Sequence, residues 1–205
     1  AAAQRVHVGD LVTMQGEPLE LLNGKVASKT LDDRSCIAAM LLAAERLQKL
    51  SHTAQVVFCC SVQEEVGGYG ARVAAYTAAP DIGFILDVTH AAYPGAKPDT
   101  TVPPDAPAAT MGPFIQTKLM ERLKNVAKEN GIKMNVELAG RNTYTDTDDI
   151  QIARGGIPCV LVGVPLNYMH TTVELGDVNA VAETGRLAAA FAAAVEEGWD
   201  TDLWI

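Results

Sequence analysis

From residue 33 onward, large apolar side chains recur at spacings of three and four. Ile37, Met40, Leu41, Ala44, Leu47 and Leu50 predict an amphipathic helix. Before it, residues 5–26 alternate loosely between apolar and polar, broken at Gly9-Asp10, Gly16 and Asn23-Gly24, and read as short antiparallel β. After it, residues 54–62 (AQVVFCCSV) are almost continuously apolar over the length of one strand, the pattern of a strand buried on both faces. A helix is expected over 71–78, halted by Pro80, and a second buried strand over 82–88 (IGFILDV). Residues 91–113, rich in proline, threonine and aspartate, read as a long loop.

The alternation then resumes. A helix over 116–129 is closed by Asn130-Gly131, a strand follows over 133–138, and a helix over 146–154 ends at Gly155-Gly156. A strand over 158–164 and an Ala-rich helix over 177–197 complete the pattern. From residue 31 the chain is thus β and α in turn, which predicts an α/β fold with a mostly parallel sheet covered by helices on both faces. No internal repeat is found. The composition shift near 27–30 separates a β-rich segment, residues 1–30, from an α/β body, residues 31–205.

Composition narrows the function classes. The chain has 205 residues, 48% of them hydrophobic and 20% charged, ordinary values for a folded globular protein. Its 16 Lys+Arg against 25 Asp+Glu give a net charge of −9, which argues against a nucleic-acid partner. No run of about 18 apolar residues is present, so no membrane span is expected. Ala1–Asp10 lack a basic stretch followed by an apolar core, so no signal peptide is read there. Cys36, Cys59, Cys60 and Cys159 form no CxxC pair, and the expectation is reduced, buried thiols in a cytoplasmic protein.

In open α/β sheets, sites form at the carboxyl ends of strands. Polar residues collect there: Gln63-Glu64-Glu65 after 54–62, Asp87 at the end of 82–88, and His170 in the loop after 158–164, with Asp32-Asp33-Arg34 opening the first helix. Taken singly these have plain readings. An Asp before a helix is an N-cap, a loop His is a hydrogen-bonded surface residue, and paired Glu is a solvated turn. Jointly they demand a cation, since two adjacent glutamates ending an apolar strand are costly without one. A divalent metal with one carboxylate as ligand and its neighbour as base meets that demand.

Three stretches carry a family resemblance: SKTLDDRSCIAAMLLAAERL, VQEEVGGYGARVAAYTAAPDIGFILDVTHAAYPG and TYTDTDDIQIARGGIPCVLVGVPLNYMHTTVELGDV. Together they resemble the tetrahedral metallo-aminopeptidases, the glutamyl/leucyl aminopeptidase group, some members of which bear endoglucanase or deblocking-aminopeptidase names. The resemblance implies a metal-dependent aminopeptidase acting on the N-termini of peptides, with two divalent ions, zinc first and cobalt or manganese as substitutes. It assigns Asp32 as the carboxylate bridging the ions, Glu65 and Asp87 as ligands of one ion each, and His170 as the ligand completing one site. It assigns Glu64 as the general base that takes a proton from the activated water. It also implies homo-oligomers built largely through an inserted β domain.

Two departures qualify the implication. The family's remaining ligand is a histidine in a His-x-Asp motif, which has no match here; His7, His52 and His90 lie in other contexts. The chain is therefore expected to correspond to the C-terminal portion of such an enzyme, with residues 1–30 the remnant of the inserted β domain, residues 31–205 the catalytic domain, and one metal held at most tightly. Asn167-Tyr168 also stands where the family commonly has Arg-Tyr, and Asn supplies no bidentate cationic contact. Thr145-Asp146 matches the family's Thr-Asp near the site, in a supporting role. The competing reading is a non-catalytic α/β module kept for assembly or peptide binding.

Overall fold

Seven strands of the computed structural model form one sheet; residues 2–203 are described, apart from the side chains of Ala3, Asp200 and Thr201. Ala1, Trp204 and Ile205, the outer ends of the two expected units, lie outside the described residues. In chain order the strands are β1 Leu19–Leu21, β2 Lys25–Ser28, β3 Gly83–His90, β4 Ala108–Met111, β5 Asn135–Leu138, β6 Cys159–Asn167 and β7 Glu174–Asp177. The helices are α1 Leu31–Leu47, α2 Tyr69–Ala78, α3 Thr117–Glu129, α4 Thr147–Ile150, α5 Val178–Ala194 and α6 Trp199–Asp202.

The centre of the sheet is β6, every residue of which is buried. It runs parallel to β3 and antiparallel to β4 and β7, while β5 joins β4 in parallel and the β1–β2 hairpin extends the far edge antiparallel to β7. The α/β class is as expected, but the sheet is mixed rather than mostly parallel. Two short strands account for this: β7 follows β6 through a tight loop and must return antiparallel, and β4 lies inside the stretch read as loop. The small side chains of Ala108 and Ala109, fully buried beside β6, gave no strand signal among the surrounding prolines.

Helices cover both faces. Phe84 of β3 meets Phe191 of α5, ring centroids 5.1 Å apart. Its neighbour Gly83 faces Ile150 of α4, and successive strand residues point to opposite faces. α1, α5 and α3 pack side by side on the first face, and α2 packs on α4. Leu119, Leu123, Leu187, Phe191, Val160 and Val162 form the main core between the sheet and this three-helix layer.

Of the stripe predicted for α1, Leu47 is buried and Met40 and Ala44 are half-buried, but the rest of the buried face is shifted. Cys36, Ala39, Ala43 and Leu47 are buried, whereas Ile37 and Leu41 are 41% and 68% exposed. Close helix packing selected the small residues. A Cβ on Gly185 of α5 would lie 2.6 Å from the Ala39 carbonyl oxygen, so the α1 and α5 backbones nearly touch there.

The largest correction concerns residues 54–62. They form no strand among the described residues, and Val57, Phe58, Cys59, Cys60 and Val62 are exposed. The composition of a buried strand is present, but no neighbouring strand pairs with it. Two of the four thiols expected to be buried, Cys59 and Cys60, are therefore exposed, while Cys36 and Cys159 are buried as expected.

Candidate metal centre

The start of α1, the turn after residue 62, the end of β3 and the β6–β7 loop bring their carboxylates and imidazole to one end of the sheet. Backbone strain marks three of these places. Thr30 just before Leu31-Asp32, Gln63 just before Glu64, and both Tyr168 and His170 hold left-handed φ between 59° and 63°. A left-handed backbone costs a non-glycine residue about 1–2 kcal/mol, so the surrounding packing over-determines these turns. The Asp32–Asp33 peptide bond is cis. Gly70, which opens α2 with Tyr69, has no room for a side chain: its Cβ would sit 2.3 Å from the Val62 carbonyl oxygen. That close approach fixes the turn carrying Glu64 and Glu65.

Asp32, Glu65 and His170 converge. The His170 Nε2 lies 3.0 Å from Asp32 Oδ2 and 3.6 Å from Glu65 Oε2, and one donor atom from each lies within 4.8 Å of the others. Among the described residues no other group of three or more such side chains meets this test. Asp87 is outside the trio, buried at 9% exposure and facing Asp33 and Glu64. A cleft of about 350 Å³ opens over the trio, with Lys29 and Thr171 in its walls.

Glu174, which no sequence argument singled out, organises the trio from beneath. It is 2% exposed and accepts the backbone N–H of Asp32 at 3.1 Å and that of His170 at 2.9 Å. Its only sequence signal was a carboxylate in the apolar stretch VELGDV, which needs partners if buried.

The electrostatics are those of crowded carboxylates. Burial pushes Asp87 up to about 8, helped by the charge of Asp33. Burial pushes Asp33 up to about 7 against the opposing bonds from Cys36. Burial, then Asp146 and Glu65, push Glu64 up to about 7. Asp32 is raised by burial and by Glu65, and His170 works the other way. Asp146 accepts from Ser61 through one oxygen, while its other, buried oxygen has no partner among the described residues. Asn167 is occupied elsewhere, donating to the carbonyl oxygens of Ala91 and Ala92 at 3.1 Å each, which ties the β6 end to the chain leaving β3.

This donor set fits a divalent ion. Imidazole nitrogen and carboxylate oxygen are zinc ligands, and three protein donors beside an open cleft leave a coordination position for water or substrate. The crowded acids around the trio supply a negative field that a doubly charged ion would relieve, and among the residues lining the cleft Lys29 is the one that is always cationic at neutral pH.

Comparison with known proteins follows the same lines. The sequence model of the M42 glutamyl aminopeptidases matches residues 1–187. A lysyl aminopeptidase from Pyrococcus furiosus is 40% identical over 168 residues, 81% of this chain and 48% of that protein. Among solved structures, an aminopeptidase from the archaeon Desulfurococcus kamchatkensis superposes with a TM-score of 0.82 at 29% identity, covering 92% of this chain and 54% of that one. The Pyrococcus horikoshii TET1 peptidase, described as assembling into a tetrahedron or a large octahedral shell, gives 0.72 at 26% identity over 86% of this chain and 52% of that one. The chain thus spans about half the length of the proteins it matches.

Proposed function

Because the chain belongs to the M42 glutamyl aminopeptidase family, we propose that it carries the metal-dependent hydrolytic centre of an aminopeptidase, an enzyme that releases N-terminal residues from peptides. The observation that supports this reading best is the convergence of Asp32, Glu65 and His170 beside a glutamate, Glu64, whose carboxyl is raised to about 7. Asp32, Glu65 and His170 would hold the ion, zinc by preference, with cobalt or manganese also suited to such donors. Bound there, the ion supplies Lewis-acid polarisation of the peptide carbonyl and of an attacking water.

The other steps belong to the chain's own residues. A base is most effective when its pKa lies near the working pH, and Glu64 meets that condition. It takes the proton of the attacking water and returns it to the departing amine. Glu174 fixes the backbones of Asp32 and His170, so the two ligands keep their spacing. Asp87 would belong to a second ion. It is not one of the three converging donors, so this chain by itself is read as holding one ion tightly and a second weakly. The division at residue 30, with a small β unit before the catalytic unit, is part of the same reading. So are assembly of several copies, as described for the Pyrococcus horikoshii relative, and a cytoplasmic setting; no helix among the described residues is long and apolar enough to cross a membrane.

Calorimetric titration with zinc, paired with an assay on aminoacyl nitroanilides, tests the proposal. One tight zinc, lost in His170→Ala, and little or no turnover by this chain are expected. Two tight sites with full turnover would overturn the single-ion reading, and no zinc binding at all would overturn the metal centre and favour the non-catalytic module.

A further inference from the structure

Two arginines beside α2 are less committed than those that tie other elements together. Arg122 donates to the Trp199 carbonyl and to Asp202 and lies over the Trp199 ring, and Arg186 donates to both oxygens of Glu183 and to the Asn130 carbonyl. Arg72 and Arg154 make one hydrogen bond each. Arg72 donates to Asp149 through one nitrogen, and Arg154 donates to the Tyr76 carbonyl at 2.7 Å. A guanidinium carries five N–H groups in a fixed fork. Most of the donors of both side chains therefore have no partner among the described residues.

Both arginines line one cavity. Arg72 and Tyr76 are one turn apart and share a face of α2. Arg154, in the loop after α4, stands over the Tyr76 ring with its guanidinium carbon 5.2 Å from the centroid. Together with Ile152 and Ala153 these three residues line a pocket of about 330 Å³, which shares no lining residue with the cleft over Asp32, Glu65 and His170. That volume is at the lower end for ligand sites and suits a molecule the size of one residue. Its apolar surface stands open, Tyr76 at 64% exposure and Ile152 at 63%.

The backbone of Arg154 adds an independent sign. It holds a left-handed φ of 54° directly before Gly155-Gly156, the residue type for which that conformation carries no steric cost. Strained non-glycine backbone gathers at ligand clamps, and here it belongs to the residue whose side chain reaches back over α2.

Charge then sets the ligand class. Asp149 is the sheltered partner of its ion pair, at 16% exposure, and Arg72 the open one, at 55%. Two guanidiniums against that one carboxylate leave a single positive charge at the pocket, in a chain whose net charge is −9. A carboxylate matches both the charge and the planar fork, whereas a phosphate brings about −1.5 to −2.

We propose that this pocket binds a small carboxylate ligand, one negative charge carried on an aromatic or branched apolar body. The carboxylate takes the unused N–H groups of Arg72 and Arg154, and the body lies against Tyr76 and Ile152. Acids whose amino group is blocked or absent belong to this class. A free ammonium group would meet the positive charge of the two arginines and is excluded from it. The site rests on α2 and the loop after α4 and does not depend on the metal reading.

N-Acetyl-phenylalanine is the probe, titrated into the full chain while the Nε–H signals of Arg72 and Arg154 and the amide of Ile152 are followed by NMR. Saturable shifts of all three are expected. N-Acetyl-phenylalanine amide, which lacks the charge, and acetate, which lacks the body, should each bind at least about tenfold more weakly. Arg154→Gln should weaken binding of the acid by a similar factor. Because Arg154 also ties to Tyr76, Ile152→Asp is the second variant. It adds a repelling carboxylate at an exposed position, and should weaken binding as much while leaving the circular dichroism spectrum unchanged. His170→Ala should bind the probe as the parent does. The proposal is overturned if the acid shifts none of these signals up to its solubility limit, if the amide or acetate binds as tightly as the acid, or if Ile152→Asp leaves the affinity unchanged. Loss of binding in His170→Ala would also overturn it, by placing the carboxylate on the proposed ion.

Discussion

The carboxylate of Glu174 accepts the backbone N–H of His170 at 2.9 Å while the imidazole of the same His170 stands 3.0 Å from Asp32. The second oxygen of Glu174 accepts the N–H of Asp32 itself, so one buried side chain sets the spacing of two proposed ligands that are 138 residues apart in sequence (170 − 32). Groups that orient ligands in this way are typically worth 10–100-fold in metal affinity. Glu174→Ala is therefore expected to weaken zinc binding by about that factor, with Glu174→Gln milder because an amide oxygen still accepts one N–H. Competition with a chromophoric chelator measures both. Unchanged affinity in Glu174→Ala would show that Asp32 and His170 are held by other means.

Glu64 and His170 separate base from ligand. In the proposed centre Glu64 touches no ion, so Glu64→Gln should leave zinc affinity within about threefold of the parent, a free-energy change of under about 1 kcal/mol. His170→Ala should abolish tight binding, since it removes one of three donors. Calorimetry on the two variants distinguishes them. A large loss of affinity in Glu64→Gln would make Glu64 a ligand and leave the centre without its base.

The raised carboxylates set the pH dependence of the metal-free protein. Asp33 and Glu64 titrate at about 7 and Asp87 at about 8 when folded, against ordinary values of 3.8 for Asp and 4.5 for Glu. Between pH 4 and pH 8 the folded chain therefore holds more protons than the unfolded one, and stability must fall as pH rises through that window. Urea midpoints taken in chelator should decline from pH 5 to pH 8. Saturating zinc should flatten or reverse the slope, because the ion binds the deprotonated ligands and binds them better as pH rises. A metal-free midpoint that climbs over this range would contradict the crowding of these acids.

How much of this was legible in the sequence depended on where each signal came from. The helices were readable because their side chains repeat along one chain: Gln116 caps α3 through the Leu119 N–H, and Asp177 caps α5 through that of Asn179. The candidate ligands were readable as strand-end and helix-start polar clusters, and of the four, Asp32, Glu65 and His170 meet while Asp87 stands outside the group. What escaped depended on neighbours that no local pattern encodes. The apolar run 54–62 has a strand's composition without a strand's partner. Ala39 and Ala43 lie in the α1–α5 contact in place of Ile37 and Leu41 because backbone proximity rewards small side chains. Glu174 lies between the strand read over 158–164 and the helix read over 177–197, and it is the return of β7 beside β6 that buries it.

Gly185 tests that backbone proximity. In a helix interior, replacing Gly by Ala ordinarily stabilises by about 1 kcal/mol through propensity. Here the new Cβ would meet the Ala39 carbonyl oxygen at 2.6 Å and the Leu42 Cβ at 3.0 Å, and the first of these belongs to the backbone of α1, which cannot rotate away. α1 must then shift from α5, and overpacking of this kind costs about 1–3 kcal/mol. Since Asp32 and Asp33 stand in the first turn of α1, the shift also reaches the proposed metal centre. Gly185→Ala is expected to lower the urea midpoint and weaken zinc binding together. A variant more stable than the parent would show that the two helices have slack, and the small-residue account of their packing would fail.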